Sequence, residues 1–392
     1  MAVVKIRMPG MVSVEDVYAA LRGVVDPELG GDIVELGMVT GVDVSAGGLV
    51  EVGIALTIAE CPMRGQIEGD TLRRVRSLPG VTEAVVHTTA MTKAQRADLM
   101  AVARRRAREN AAPTTVAPTT RVIAVSSGKG GVGKSSVSAN LALALADRAQ
   151  RVGLLDADIW GFSIPRMLGA AERHTADDQT RLIRPVEAYG LRLVSTGLII
   201  DSEETALMWR GLMLSKALEQ FLTQVEWGDL DYLVVDMPPG TGDVQMALSR
   251  LLPQAEMVVV TTPQKAAQKV AVRVADMARR SFMPIVGVIE NMSSFTCDHG
   301  ETYPLFGAGG GDELAGDLSV PLIGRVPLDP AVVRGGDEGR PVTRAMPDNP
   351  AAAAFRAIAD RVLELVPPAA AETCTGRIAK LLEGLERVQT PA

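Results

Sequence analysis

Cysteine is scarce in this chain: three in 392 residues, Cys61, Cys297 and Cys374, scattered and odd in number. That excludes a disulfide framework and fits a reducing compartment, so a cytoplasmic protein is expected. Aromatic residues make up only 3%, so the cores must be aliphatic, built from Val, Leu, Ile, Ala and Met. The N-terminal stretch has no apolar core of the secretory kind, and no run approaches a membrane span. Excess positive charge is missing too. A net charge of −7 gives no general attraction to nucleic acid or to anionic membranes, and neither is expected as a stable partner. What is present, 47% hydrophobic and 22% charged, is the balance of a globular chain long enough for two domains.

The chain is organised around one stretch. An apolar run from Val122 leads into Gly128-Lys-Gly-Gly-Val-Gly-Lys-Ser135, which fits the phosphate-binding pattern G-x-x-x-x-G-K-S/T, and a helix is expected over 137–148. Gly128, Gly130, Gly131 and Gly133 let successive N–H groups turn inward toward phosphate oxygens. The helix N-terminus beyond adds dipoles of the right sign. The nucleotide-binding stretch is therefore Gly128, Lys129, Gly130, Gly131, Val132, Gly133, Lys134, Ser135 and Ser136. Lys134 is expected to reach the β- and γ-phosphates, and the Ser135 hydroxyl to take one position on Mg²⁺.

From Arg121 onward, near-continuous apolar runs alternate with helical segments: 151–158, 191–200, 231–236, 256–261, 284–291 and 321–327 as strands, with helices at 208–225 and 264–280 between them. Such a pattern means a mostly parallel, doubly wound sheet covered on both faces, with ligands at the carboxyl ends of its strands. Asp236 ends one such strand and fits a magnesium-holding carboxylate; a helix cap is the alternative, disfavoured by the Met-Pro-Pro-Gly-Thr-Gly242 turn that follows. Asp158 is expected to position a water near the γ-phosphate, with Asp156 in support.

The remaining segments divide the chain further. Residues 12–92 read as a small α+β domain, with helices at 13–22 and 63–76 and strands at 49–57 and 81–88. Cys61 keeps two readings: a thiolate stabilised at a helix N-terminus, or a buried small thiol. Residues 93–120 read as a connector. It pairs an Ala/Arg-rich helix containing Arg104-Arg-Arg106 with an extended, mobile Pro/Thr segment. The fold class expected is thus α/β: a P-loop NTPase domain over 121–367, preceded by a small α+β domain. In the tail, 368–392, Ile378, Leu381, Leu382, Leu385 and Val388 fall at helical spacing. Glu383 and Glu386 offset the neighbouring cations, which favours packing against protein over a membrane surface.

A family resemblance follows from these motifs. Lys129, directly after the first glycine, resembles the deviant Walker A lysine of the MinD/ParA ATPases. Leu155-Asp-Ala-Asp-Ile-Trp-Gly161, Val235-Asp-Met-Pro-Pro-Gly-Thr-Gly-Asp243, Thr261-Thr-Pro-Gln264, Glu290-Asn-Met-Ser293 and Phe306-Gly-Ala-Gly-Gly-Gly311 narrow it. Together they resemble the Mrp/ApbC subfamily, ATP-binding iron–sulfur cluster carriers. Residues 12–92 resemble the small domain often fused ahead of these ATPases. The resemblance implies a homodimer closing on two ATP molecules, with Lys129 reaching the partner's phosphates where an arginine finger acts elsewhere. It implies that Asn291 contacts adenine and that apo iron–sulfur proteins are the recipients. It also implies a 4Fe–4S cluster bridging the dimer, held by a C-x-x-C pair from each copy.

Here the sequence departs. Cys297 is present, but the second cysteine position holds Gly300, with Asp298 and His299 between. His299 or Asp298 completing a mixed site, and a relic loop retaining one thiol, both stay open. The function expected is a slow ATPase that carries iron–sulfur clusters. The alternatives are a MinD/ParA-like spatial organiser and a regulatory ATPase that has lost its cluster.

Overall fold

The computed structural model describes residues 12–27, 29–57, 63–199, 212–240 and 242–369. Cys61, Cys374, the amphipathic tail and the first turn of the helix expected from 208 lie outside the described residues. The chain divides into two compact units, Met1–Asn110 and Ala111–Ala392.

The first unit runs α1 Val14–Leu21, β1 Val39–Val44, β2 Leu49–Leu56, α2 Arg64–Arg76, β3 Glu83–Ala90 and α3 Lys93–Glu109. Ser13 and Asp16 form a reciprocal cap on α1: the Ser13 hydroxyl accepts from the Asp16 N–H at 3.2 Å and the Asp16 carboxylate from the Ser13 N–H at 3.1 Å. The strands form one sheet in the order β1-β2-β3. β1 is antiparallel to β2, while β2 and β3 are parallel with α2 as the crossover. Strand β1 escaped the sequence reading because it is an edge strand without one buried residue, so no alternation marks it.

The connector assigned to 93–120 is corrected at both ends. Helix α3 is part of the first unit, capped by Thr92 and Gln95, with Leu99 and Ala103 buried and Arg106 paired to Glu35 at 2.6 Å. The Pro/Thr segment belongs to the second unit and is tied down there. The Thr115 N–H donates to the Leu222 carbonyl at 2.8 Å, Val116 is buried, and the Thr120 hydroxyl donates to the Leu230 carbonyl at 3.0 Å. Small polar residues read as mobile because their partners, a hundred residues away, leave no local signal.

The second unit opens with β4 Arg121–Ser127, α4 Lys134–Ala146, β5 Val152–Asp156 and the single turn α5 Ile164–Met167. A hairpin, β6 Thr175–Ala176 and β7 Ile183–Arg184, precedes β8 Val186–Ala188 and β9 Leu191–Ser195. Then come α6 Leu212–Thr223, β10 Tyr232–Asp236, α7 Asp243–Leu251, β11 Glu256–Thr261, α8 Lys265–Arg280 and β12 Ile285–Asn291. A second hairpin, β13 Phe295–Thr296 and β14 Thr302–Tyr303, leads to α9 Gly310–Leu318, β15 Leu322–Val326, α10 Pro330–Asp337, α11 Val342–Ala345 and α12 Pro350–Leu365.

Eight strands form one sheet in the order β15-β12-β11-β4-β10-β5-β9-β8, parallel throughout except for β8 against β9 at the edge. Alternate residues of each strand feed opposite faces. Ile123, Val125, Tyr232, Val234, Val258 and Val260 pack with α4 and α12, whereas Val122, Ala124, Leu233, Val235, Met257 and Val259 pack with α6 to α9. Burial on both faces is why these strands read as unbroken apolar runs. Each Val, Leu, Ile or Met among them contributes roughly 1.5–3 kcal/mol on leaving water. The same geometry carries β4, β10, β5 and β12 to one edge, where their last residues face the P-loop.

His174, ahead of the β6–β7 hairpin, gives the fold a pH signature. Its Nδ1 lies 3.2 Å from the Arg184 carbonyl oxygen, and its Nε2 accepts the Ser195 N–H at 3.3 Å. Only the neutral ring protonated at Nδ1 makes both bonds. Burial pulls its pKa below the ordinary histidine value, so the unfolded chain binds this proton more readily. The stabilisation is present above about pH 6.5, the unfolded value, and is lost as pH falls through the folded one. Replacing it by His174→Gln, whose amide can donate and accept, should flatten the loss of Tm between about pH 7 and pH 5. An unchanged acid limb contradicts this.

Candidate functional site

The site is built at the carboxyl edge of the sheet. The loop after β4 turns through Gly131 and Gly133, whose φ values of +79° and +77° lie in the left-handed region, and Gly133 then serves as the N-cap of α4. A side chain at Gly133 would collide with Asn291, whose Nδ2 donates to the Val132 carbonyl at 2.9 Å. Gly128 is small for another reason: its missing Cβ would lie 2.4 Å from the Ala271 backbone nitrogen of α8. The loop is thus fastened to β12 on one side and α8 on the other.

Lys134 opens α4 and is 6% exposed. Its Nζ lies 2.8 Å from Asp236 Oδ1 and 3.8 Å from Asp158 Oδ2. Asp236 is fully buried at the end of β10, in register with Asp156 on the parallel neighbour β5. It accepts hydrogen bonds from the Ser135 and Ser138 hydroxyls, each at 2.6 Å. Asp156, also fully buried, accepts from the Asp158 N–H at 3.3 Å, the Ser163 N–H at 3.2 Å and the Ser195 hydroxyl at 3.2 Å. Desolvation, then the neighbouring Asp236 carboxylate, pushes the Asp156 pKa up to about 8, with Lys134 opposing. Burial raises the Asp158 carboxyl as well, again against the pull of Lys134. Three carboxyl groups therefore converge on one ammonium.

Of the residues singled out in the sequence, Lys134, Ser135, Asp158 and Asp236 meet directly. Asp156 holds the loop after β5 through main-chain donors. Lys129 points elsewhere: its Nζ donates to Gln264 Oε1 at 3.0 Å. Asn291 spends its amide on the P-loop itself. Asp329 caps α10, accepting the Ala331 N–H at 2.7 Å, and lines an open cavity of about 700 Å³ with Phe295, Leu305 and Val333. Ser138 was missed, although it lies four residues after Lys134, on the same face of α4, where a second donor to Asp236 must stand. Ser138→Ala leaves a buried carboxylate short of a partner and should cost about 1.5–3 kcal/mol. Urea unfolding of the nucleotide-free protein measures this, and a change under ~0.5 kcal/mol contradicts it.

A serine hydroxyl beside a carboxylate is a hard oxygen donor set of the kind magnesium takes, so these residues fit that ion. Cys297 lies in a different setting, the turn of the β13–β14 hairpin. Its N–H donates to the Glu301 carbonyl and its own carbonyl accepts the Gly300 N–H, both at 2.9 Å. Gly300 has φ +84°, so a cysteine in the missing position would be strained in this turn. Among the described residues no group of three or more His, Cys, Asp or Glu side chains is arranged to hold a metal within one chain.

Comparison with known proteins agrees with this geometry. Residues 118–363 match the ParA family model described as NUBPL iron-transfer P-loop NTPase, and residues 14–86 match the model for iron–sulfur cluster assembly protein. The iron–sulfur cluster carrier protein of Mycobacterium leprae is 44% identical over 351 residues, covering 88% of this chain and 91% of the relative. That of Synechocystis is 42% identical over 367 residues, covering 92% of this chain and 99% of the relative. Among solved structures, a nucleotide-binding protein from Archaeoglobus fulgidus in complex with ADP is 34% identical. It superposes with a TM-score of 0.51, covering 59% of this chain and 89% of that one. With its P-loop, its paired carboxylates at neighbouring strand ends and these matches, the chain belongs to the ParA-type family of NUBPL iron-transfer P-loop NTPases.

Proposed function

We propose that this chain is an ATP-hydrolysing carrier that binds iron–sulfur clusters and passes them to apoproteins, working in the cytoplasm as a homodimer with slow turnover. The observation that carries the reading is the Lys134–Asp236–Ser135 constellation at the head of α4, in a family of iron-transfer NTPases. The P-loop amides and Lys134 bind and orient the triphosphate, Lys134 exchanging its carboxylate partners for phosphate oxygens. Ser135 and Asp236 are the residues that would hold magnesium, which would offset the charge of the triphosphate. Asp158, whose carboxylate lies 3.8 Å from the Lys134 ammonium, orients the attacking water. Lys129 acts across the dimer on the partner's phosphates, and Asn291 supports the loop beside the base.

The cluster is cargo, and Cys297 is its anchor. Since one hairpin supplies one thiolate, holding a cluster takes both copies, with His299 or Asp298 filling remaining positions. The first unit's match to cluster-assembly proteins suits it to loading or delivery. The net charge of −7 gives no general attraction to nucleic acid or anionic membranes, and no described helix is long and apolar enough to cross a membrane. Gly300 in place of the second cysteine favours one other reading, a regulatory ATPase without cargo.

Anaerobic incubation with iron and sulfide, followed by transfer to an apo iron–sulfur enzyme, tests the two. The carrier retains iron and restores the enzyme's activity. An ATPase that retains no iron is the regulatory protein.

A further inference from the structure

The function proposed above makes nucleotide-dependent pairing turn on Lys129, yet in the structure this residue is engaged inside its own chain. Its ammonium donates to Gln264 Oε1 at 3.0 Å. Gln264 stands directly before α8, with φ −64° and ψ 128°, and its side chain makes no capping bond to that helix. The position is rigid. Pro263 precedes it, and the Pro263 carbonyl accepts from Gln268 Nε2 at 3.0 Å. Gly310 is pressed so close to this corner that a Cβ there would lie 2.6 Å from the same carbonyl oxygen. The lysine end is fixed as well: the Lys129 carbonyl accepts the Ser127 hydroxyl at 3.1 Å, and Gly128 abuts the backbone of α8. Two sequence motifs without another assignment, Thr261-Thr-Pro-Gln264 and the glycine run 307–311, thus build one mount.

We propose that Gln264 is a positioning residue that parks the Lys129 ammonium within its own protomer, and that release of this hydrogen bond sets how readily Lys129 reaches the nucleotide of a second copy. The inference rests on the trans role given to Lys129 above. The chemistry suits a latch rather than a permanent tie. A neutral amide holds an ammonium through one hydrogen bond, whereas a carboxylate would add charge attraction and hold it harder. Lys129 is also only half-buried, so it can leave without disturbing the core. In the resting chain the latch keeps the cation from its own Asp158 and Asp236, which already share Lys134. In the dimer, phosphate charge outcompetes the amide.

The test pairs two substitutions of opposite sign. Gln264→Leu removes the acceptor at similar volume and should tighten magnesium–ATP-dependent self-association about 5- to 10-fold. Gln264→Glu should weaken it by roughly tenfold. Acetic anhydride labelling of the nucleotide-free protein, read by mass spectrometry, reports the latch without any dimer. The Lys129 amine should react faster in Gln264→Leu and slower in Gln264→Glu than in the wild type, with Lys265 and Lys269 unchanged. Shifts of the same sign in both variants, or a Lys129 labelling rate indifferent to both, overturn the latch. If Lys129→Ala self-associates and hydrolyses ATP like the wild type, it is the trans role of Lys129 that fails. If Lys129→Ala is impaired and the Gln264 variants are silent, the latch alone fails.

Discussion

Lys134→Ala is expected to lower ATP turnover by about 10²- to 10³-fold, the loss typical of removing one preorganised electrostatic partner of a transition state. The side chain is nearly buried in the first turn of α4, and its ammonium lies 2.8 Å from Asp236 and 3.8 Å from Asp158. The same substitution disturbs the resting protein. Asp236 would keep its two serine donors and lose its counter-charge, and breaking such a buried pair costs about 3–5 kcal/mol. Activity must therefore be read on folded material, and Lys134→Arg supplies the control that keeps the charge and misplaces it. It should fold like the wild type and still lose most turnover. Wild-type turnover in either variant rejects the assignment of Lys134.

The carboxylates give that prediction a pH signature. Asp156 has a folded pKa pushed up to about 8, far above its unfolded value. The folded state therefore holds its proton more tightly. Stability from this group is full below about pH 4, where both states are protonated, and falls as pH rises toward 8. Lys134 opposes the shift, so in Lys134→Ala the decline should steepen. Tm of the nucleotide-free variant, followed from about pH 5 to pH 8, should fall more than that of the wild type. A parallel pair of profiles contradicts it.

Cys297→Ala is expected to reduce iron retained after anaerobic reconstitution to background. The hairpin's hydrogen bonds at this residue are main-chain, so alanine leaves the turn intact and removes only the thiolate. Soft thiolate is the ligand that selects iron–sulfur clusters, and the substitution takes the hairpin's sulfur away from both copies of a dimer. Iron counting and absorbance on wild type and variant decide it. Equal iron in both means that the metal sits elsewhere or adventitiously. Gly300→Cys is the informative gain: it restores the ligand count at a position whose φ of +84° strains it, so retention should rise while Tm falls.

Much of this was legible because it is local. Backbone amides, two lysines and a serine lie within eight consecutive residues, and the carboxylates announce themselves as acidic ends of apolar strands. What stayed hidden depends on partners distant in sequence. Gln264 belonged to a recognisable motif, but nothing near it says that its carbonyl meets Lys129, 135 residues away. Nor does anything near Asn291 say that its amide supports the Val132 carbonyl, 159 residues away. Short edges were illegible for a different reason. β8, with three residues, and the two-residue strands around Cys297 are shorter than any period that could betray them. Helix α3 looked like a linker because its buried face is only Leu99 and Ala103.

The most direct measurement is the mass of the protein in solution with magnesium and ATP, with ADP, and without nucleotide, by analytical ultracentrifugation of wild type and Lys129→Ala. Gripping a triphosphate between two copies should double the wild-type mass in ATP, with reversal as the nucleotide is consumed and no doubling in Lys129→Ala. A wild-type mass indifferent to ATP, in protein shown to bind it, would contradict the nucleotide-driven pairing that we propose for cluster carriage.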